Sequence, residues 1–123
     1  MKGIAFLFFV TAAVAVLLGM VWGIQMSASG DHSLSGAHAH LNLIGWVTMG
    51  LFGVYYHVVP EAADHKLAKL HYPLALAGLV VIVPGIVMAL RETGDTLAKV
   101  GSLLTVLSML LFVFIVVSTR KQG

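Results

Sequence analysis

Four long apolar runs, separated by short polar segments, constrain this chain to a fold of membrane-spanning helices. The runs lie at about residues 4–26, 37–59, 72–90 and 97–118. A helix needs about 20 such residues to cross a bilayer core of roughly 30 Å. The chain is 59% hydrophobic and 10% charged, with a mean hydropathy of +1.00, which is too apolar for a water-soluble protein of 123 residues. We therefore predict one all-α transmembrane domain, residues 1–123, with four helices.

Prolines and the length of the first run refine these helices. Pro60 ends the second helix, Pro73 is predicted in the first turn of the third, and Pro84 should kink the third. The first run has an alternative interpretation as a cleaved signal peptide, but it exceeds the roughly 7–15 apolar residues of such a segment. We therefore treat it as a transmembrane helix.

Basic residues concentrate at one side of the predicted bundle. With four crossings, both termini and the loop after the second helix share a side, which carries Lys2, Lys66, Lys69, Arg120 and Lys121. The other side carries Arg91 and Lys99. The positive-inside rule then predicts cytoplasmic termini in a multi-pass protein of a bacterial-type inner (plasma) membrane. Because no basic patch interleaved with aromatic residues is present, nucleic-acid binding is not expected.

The chain contains no cysteine. This excludes disulfides, thiolate ligands, c-type heme attachment and iron–sulfur clusters. Any metal ion must therefore bind to histidine, methionine, carboxylate or backbone groups.

Two histidines, His38 and His40, open the second apolar run near the predicted outer face. An ionisable residue within a membrane segment is a candidate functional residue. Residues two apart on a helix lie about 200° apart around its axis, so these imidazoles do not readily bind one ion together. Each histidine should face a different neighbour.

The two predicted helix faces differ in character. The His38 face continues through Asn42, Gly45, Met49, Gly53 and Tyr56, whereas the His40 face continues through Ile44, Val47 and Leu51. Gly45 leaves room for a flat ligand, and Trp46 and Met49 are suited to pack on a porphyrin whose iron accepts imidazole nitrogens. In the alternative interpretation, the glycines pack against another helix and the histidines bond to carbonyl groups or water.

The remaining histidines are poor partners for this pair. His57, His65 and His71 lie near the other membrane face, and His57 is about 25 Å from His40 at 1.5 Å per residue. We interpret them as interfacial residues and leave His32, in the first loop, unassigned. A second histidine ligand would then come from another copy of the chain, so an oligomer is expected.

A resemblance to a known family rests on residues 37–61. The matching residues are His40-Leu41-Asn42-Leu43, Trp46, Gly53, Tyr55-Tyr56 and Pro60-Glu61. They resemble the second helix of the catalytic subunit of nitric oxide reductases and related heme-copper oxidases. The resemblance implies that His40 is an axial ligand of a low-spin heme. His38-Ala39-His40 is also similar to a pair in that superfamily that serves two hemes.

The resemblance also implies an assembly. The family's large subunit has twelve helices in three arcs of four, so a homotrimer of this four-helix chain would resemble one subunit. Each heme b would take His38 from one protomer and His40 from the next, or one histidine with an open position. The copper-binding histidines and the glutamates around non-heme iron have no counterpart here, which puts oxidase or reductase activity in doubt.

These observations predict a membrane b-type heme protein that works in electron transfer, gas binding or gas sensing. Asn42, Gly45, Trp46 and Met49 would line the cofactor, while the redox partner or quinone is unknown. One alternative is a copper or zinc protein without heme. Its ligands would be His38 and His40, with or without His32, and Met20, Met26 or Met49 as soft ligands. A third hypothesis is a non-catalytic assembly partner of a respiratory complex.

Overall fold

A computed structural model describes residues 1–120, and this part of the chain is helical without any strand. The helices are α1 (Gly3–Ser29), α2 (Ser35–His40), α3 (Met49–Val58), α4 (Pro60–Ala63), α5 (Ala68–Leu90) and α6 (Thr96–Ser118). A π-helical stretch, Leu41–Thr48, joins α2 to α3 and is called the π segment. Lys121, which is predicted to lie on the terminal side, is outside the described residues.

Three helices, α1, α5 and α6, are long and apolar enough to cross a membrane. This confirms an all-helical, multi-pass membrane protein. The second apolar run is not one uniform α-helix, since α2, the π segment and α3 follow each other without a break over residues 35–58. We call this unit the composite helix. It contains no Asp, Glu, Lys or Arg.

Side chains take part in the wider turns of the π segment. Asn42 Nδ2 donates to the His38 carbonyl oxygen at 3.0 Å, and the Thr48 hydroxyl donates to the Leu43 carbonyl oxygen at 2.9 Å. The second bond spans five residues, which is the spacing of a π-helix. Such stretches are uncommon and often occur at functional sites.

The composite helix packs antiparallel against α1 through small residues. An added Cβ at Gly45 would lie 2.7 Å from Ala15 Cβ, and one at Gly53 would lie 2.9 Å from the Ala5 carbonyl oxygen. Glycine is therefore required at both positions for the backbones to approach this closely. Gly30, with φ of 71°, ends α1 in the left-handed conformation and lets the chain turn back.

The hairpin of α5 and α6 forms the most extensive contact in the bundle. An added Cβ at Gly85 would lie 2.5 Å from the Ala98 backbone nitrogen, and one at Gly101 would lie 2.6 Å from Ile82 Cα. Both glycines therefore bring the two backbones together. Frequent glycine in this sequence thus reflects close helix packing.

The start of α5 differs from the prediction. The helix begins at Ala68 rather than Tyr72, so Pro73 is its sixth residue and does not lie in the first turn. Ala68 and His71 are buried while Lys69 is exposed, and this amphipathic turn extends the helix toward the loop. Prolines 73 and 84 both lie inside the helix.

The two ends of the bundle are defined by residues that line common cavities. Lys2, His57 and Asp64 line one cavity, so the N-terminus and the loop after the composite helix share an end, which we call the terminal end. The Tyr55 hydroxyl lies 3.3 Å from the Thr119 hydroxyl, which brings the end of α6 there as well. At the opposite end, Asp31 and Arg91 line another cavity.

Candidate functional site

His38 lies against α1. Its Nε2 donates to the Gly19 carbonyl oxygen at 2.9 Å, and the Trp22 ring packs edge-on at a centroid distance of 5.8 Å. An added Cβ at Gly23 would lie 3.3 Å from His38 Nε2, so the imidazole occupies a recess beside two glycines. Because Nε2 carries the proton, the lone pair of the ring lies on Nδ1, which Asn42 Nδ2 approaches at 3.4 Å.

Asn42 completes a polar contact between the two helices. Its Nδ2, besides donating to the His38 carbonyl oxygen, lies 3.4 Å from His38 Nδ1, the ring nitrogen that can accept a hydrogen bond. Its side-chain oxygen occupies the space that a Cβ at Gly19 would need. In this arrangement His38, Asn42 and Gly19 join α1 to the composite helix.

His40 has a different environment, as the helix geometry predicted. Its side chain is exposed on the protein surface, and Nδ1 donates to the Gly36 carbonyl oxygen at 2.8 Å. This bond places the proton of the neutral ring on Nδ1, so Nε2 carries a lone pair. Metal-binding histidines have the same arrangement, in which one ring nitrogen donates to a carbonyl or carboxylate and the other is left for the metal.

The predicted His38 face is the buried face of the composite helix. Gly45, Met49, Gly53 and Tyr56 are buried, and Asn42 is partly buried. Ala15 fills the space beside Gly45, so a flat ligand has no access there within one protomer. The packing at Gly45 thus corresponds to the alternative interpretation, in which glycines contact another helix.

Trp46 lies on the outer surface of the composite helix, near its middle. Its side chain is 39% exposed and its ring centroid is 6.3 Å from that of Phe9. The two residues line a shallow apolar groove of about 340 Å³ with Val47, Gly50, Leu51 and Val54. Tryptophan in membrane proteins favours the interfaces, so an exposed indole at mid-helix is unusual.

The outer loop carries His32 and an ordered turn. Asp31 Oδ1 accepts a hydrogen bond from the Ser33 backbone N–H at 2.9 Å, and this bond holds the pKa of the carboxyl group below its usual value. His32 Nδ1 lies 3.3 Å from the Gly30 carbonyl oxygen. Both side chains are exposed.

The interpretation of His71 as an interfacial residue is wrong. This histidine is fully buried in α5, and its Nδ1 lies 2.8 Å from the Tyr56 hydroxyl oxygen. The signal in the sequence was its spacing from Ala68 and Ala75, which are also buried, but a predicted start at Tyr72 hid that pattern. His57, in contrast, is exposed, and the ring of His65 packs near that of Phe114.

Within residues 1–120, no three His, Cys, Asp or Glu side chains are close enough together to hold a metal ion. A metal at His40 would therefore need ligands from a cofactor or a second chain. No protein-family model, curated protein or solved structure matches this chain. The resemblance of residues 37–61 to heme-copper oxidases consequently stays a prediction.

Proposed function

We propose that this chain is a membrane b-type heme-binding protein related to the heme-copper oxidases, with His40 as an axial ligand of the heme iron. Such a protein would serve electron transfer, gas binding or gas sensing. His40 Nε2 would bind the iron, and the apolar surface around Trp46 would contact the porphyrin.

The observation that carries this proposal is the hydrogen bond from His40 Nδ1 to the Gly36 carbonyl oxygen. It fixes the tautomer and restrains rotation of the ring, which prepares Nε2 as a ligand. An exposed imidazole nitrogen in a hydrocarbon environment is also unfavourable unless a partner satisfies it. A bound iron would supply that partner.

The surrounding residues fit a flat apolar cofactor on the outer surface of the helix. Leu43, Trp46, Val47 and Leu51 are all exposed there. The aromatic and aliphatic groups would pack on porphyrin rings and keep water away from the iron ligand. When bound, the heme would supply reversible one-electron chemistry or a site for a diatomic gas.

The second axial position distinguishes these two roles. Two histidine ligands suit electron transfer, whereas one histidine and an open position allow gas binding. Within the protomer, His38 is hydrogen-bonded to the Gly19 carbonyl oxygen, His71 is buried, and His57 lies at the terminal end, away from His40. In this proposal a histidine from a neighbouring protomer completes a bis-histidine site.

The proposal includes a homotrimer of four-helix protomers. Its support is the composite helix, which packs antiparallel to α1, has no charged residue and presents His40 outward. Three such protomers would imitate the three arcs of a twelve-helix oxidase subunit. The composite helix would then cross the membrane as well, which makes four crossings in total, and would lie at the protomer interface.

A copper or zinc protein without heme is the second candidate. The hydrogen bond from His40 Nδ1 leaves Nε2 with a lone pair, and an imidazole nitrogen of this kind suits copper and zinc as well as iron. Met26 and Met49 are only 5% and 1% exposed, so neither is presented beside His40 on the surface. Histidines from three protomers around a threefold axis would supply the ligands instead.

Replacing the proposed ligand tests the function. The full-length protein, expressed with ample heme and purified in detergent, should show a Soret band and stoichiometric iron. His40→Ala should lose both, since the iron loses its axial bond. His57→Ala is the matched control, because His57 is an exposed histidine on the same composite helix and should keep the heme.

A colourless wild-type protein would overturn the heme proposal. Stoichiometric copper or zinc in that protein, lost in His40→Ala, would establish the second candidate. A protein with neither heme nor metal would favour the role of an assembly partner.

A further inference from the structure

A small polar cavity lies at the end of the bundle opposite the terminal end, between the ends of α1 and α5 and the loop that follows α1. It has a volume of about 180 Å³, and its lining includes Trp22, Gln25, Met26, Asp31, Ser33 and Arg91. This volume holds about six water molecules at roughly 30 Å³ each, so the polar cavity suits a small polar group. The heme proposal makes no use of it.

The two charged residues of the polar cavity do not pair with each other. Within residues 1–120, the Arg91 guanidinium makes neither a hydrogen bond nor an ion pair. Asp31 accepts a hydrogen bond from the Ser33 backbone N–H, and a carboxylate has about four acceptor sites, so it can accept more. Hydrogen bonds from Ser33 are the main cause of the lowered pKa of Asp31, and the charge of Arg91 adds to it. The opposite charges therefore lie near each other with space between them.

Two residues of α1 add neutral polar groups to the lining. Trp22 and Gln25 lie about one turn apart, and neither side chain makes a hydrogen bond within residues 1–120. The polar cavity thus combines an unpaired cation, a carboxylate with free acceptor sites, an indole N–H and an amide. A ligand that carries an anion beside a protonated amine is complementary to this set.

An apolar groove between α1 and α5 lies on the membrane-facing surface of the bundle. This α1–α5 groove has a volume of about 350 Å³, and its lining includes Val14, Leu18, Leu79, Val80, Val83 and Pro84. Leu79 is buried at its floor, whereas Val14, Leu18 and Val80 are exposed. Its surface therefore suits a hydrocarbon chain.

The helical period places the groove and the polar cavity on one face of each helix. On α1, Trp22 lies one turn beyond Leu18, and on α5, Arg91 lies two turns beyond Pro84. Both helices run from the terminal end to the opposite end, so the polar cavity directly follows the groove. From Val80 to Arg91 the distance is about 16 Å at 1.5 Å per residue, which is close to the depth of one leaflet, about 15 Å.

We propose that the polar cavity and the α1–α5 groove together bind one phospholipid with an ethanolamine headgroup. The phosphate bonds to Arg91 and Gln25, the ammonium donates to Asp31, and one acyl chain lies along Leu18 and Val80. A choline headgroup has no N–H to donate to the carboxylate, and a glycerol headgroup has no positive charge. The headgroup therefore decides which lipid binds.

The position of Trp22 agrees with this site, because tryptophan favours the depth of the lipid headgroups. The site is also independent of heme binding. On α1 its residues Val14 and Leu18 lie on the side of the helix opposite Phe9, which lines the groove beside Trp46.

Lipid titration of the full-length protein tests the proposal. The protein is stripped of lipid in detergent and titrated with phosphatidylethanolamine, phosphatidylcholine or phosphatidylglycerol of identical acyl chains, and bound lipid is counted by native mass spectrometry. Phosphatidylethanolamine should bind about tenfold more tightly than the other two, because each of them lacks the hydrogen bond from an ammonium group to Asp31. Equal affinity for the three lipids would overturn the proposal.

Substitutions in the polar cavity test the assigned contacts. Arg91→Gln and Asp31→Asn should each weaken binding of phosphatidylethanolamine about tenfold, and Asp31→Asn should also remove the preference over phosphatidylcholine. Lys99→Gln is the matched control, since Lys99 is an exposed basic residue at the same end but does not line the polar cavity. Unchanged binding in both cavity variants would contradict the site.

Two measurements separate the lipid from other occupants. Val80→Trp fills the groove and should weaken binding several-fold, whereas Leu103→Trp, at an equally exposed position on α6 outside the groove, should not. If Val80→Trp reduced self-association but left lipid binding unchanged, a second copy of the chain would be the occupant. Soluble phosphoethanolamine should compete only at far higher concentration than the lipid, because it leaves the groove empty. Competition at equal concentration would assign the polar cavity to a free zwitterion instead.

Discussion

Two histidines separated by one residue have different roles because the hydrogen bonds of their rings differ. His38 donates through Nε2 to a carbonyl group of another helix, whereas His40 donates through Nδ1 to a carbonyl group of its own helix. The first bond joins two helices and leaves the lone pair of His38 on Nδ1, beside Asn42 Nδ2. The second leaves Nε2 exposed at the protein surface. Of the two, His40 therefore presents its free ring nitrogen at the protein surface, whereas that of His38 faces Asn42.

Replacing His38 should affect stability rather than heme binding. His38→Ala removes the bond to Gly19, and polar contacts between membrane helices contribute about 0.6–2 kcal/mol. We expect a lower midpoint of thermal unfolding with an unchanged Soret absorbance per protein. The control, His32→Ala, changes an exposed loop histidine and should alter neither quantity. A shift of the heme to high spin in His38→Ala would instead identify His38 as a ligand.

At the level of helices, glycine positions set how closely the elements pack. Gly53 approaches the α1 backbone itself, while Gly50, one turn earlier on the same helix, has ordinary van der Waals space. The nearest atom to an added Cβ would be the Ala5 carbonyl oxygen at 2.9 Å for Gly53, but Ala12 Cβ at 3.7 Å for Gly50. A backbone atom cannot move aside as a side chain can.

The matched pair of alanine variants at these glycines tests this difference. Gly53→Ala should lower the free energy of unfolding by about 1–3 kcal/mol, because α1 must shift away. Gly50→Ala should be neutral or raise it by up to about 1 kcal/mol, because alanine has the higher helix propensity. Denaturation followed by circular dichroism in mixed micelles measures both. Equal effects of the two substitutions would contradict the packing described for Gly53.

For the whole molecule, the distribution of charge predicts the orientation in the membrane. Among residues 1–120, the terminal end carries Lys2, Lys66, Lys69 and Arg120, and the opposite end carries Arg91 and Lys99. The positive-inside rule then predicts that the terminal end faces the cytoplasm. The cavity beside Lys2 would open to the cytoplasm, and His40 would lie near the outer face.

Because the chain lacks cysteine, single introduced cysteines report this orientation directly. Ser33→Cys and Thr93→Cys, both in exposed loops, should react with a membrane-impermeant maleimide added to intact cells or spheroplasts. Lys66→Cys, in the loop of the terminal end, should react only after the membrane is opened. Labelling of all three from one side would exclude four crossings, and the reverse pattern would place the termini outside.

The sequence alone determined the features that follow from local composition and helical period. Long apolar runs predicted a helical membrane protein, and the structure confirms three helices that are able to cross. The two-residue spacing predicted that His38 and His40 face different surroundings, and the period of 3.6 residues predicted the buried face through Gly45 to Tyr56. These features depend only on neighbours within a few turns, so they can be read from the chain.

Tertiary structure decided which partners each group meets. The bond from His38 to Gly19, the contact of Gly45 with Ala15 and the burial of His71 beside Tyr56 all join residues 15 or more positions apart. The π segment also needed the structure, because local side-chain bonds compete there with the regular α-helical ladder. Close packing of α1 against the composite helix turned one histidine of the pair inward and left the other exposed. The sequence shows that two histidines open an apolar segment, but only the packing shows which imidazole contacts α1 and which is exposed.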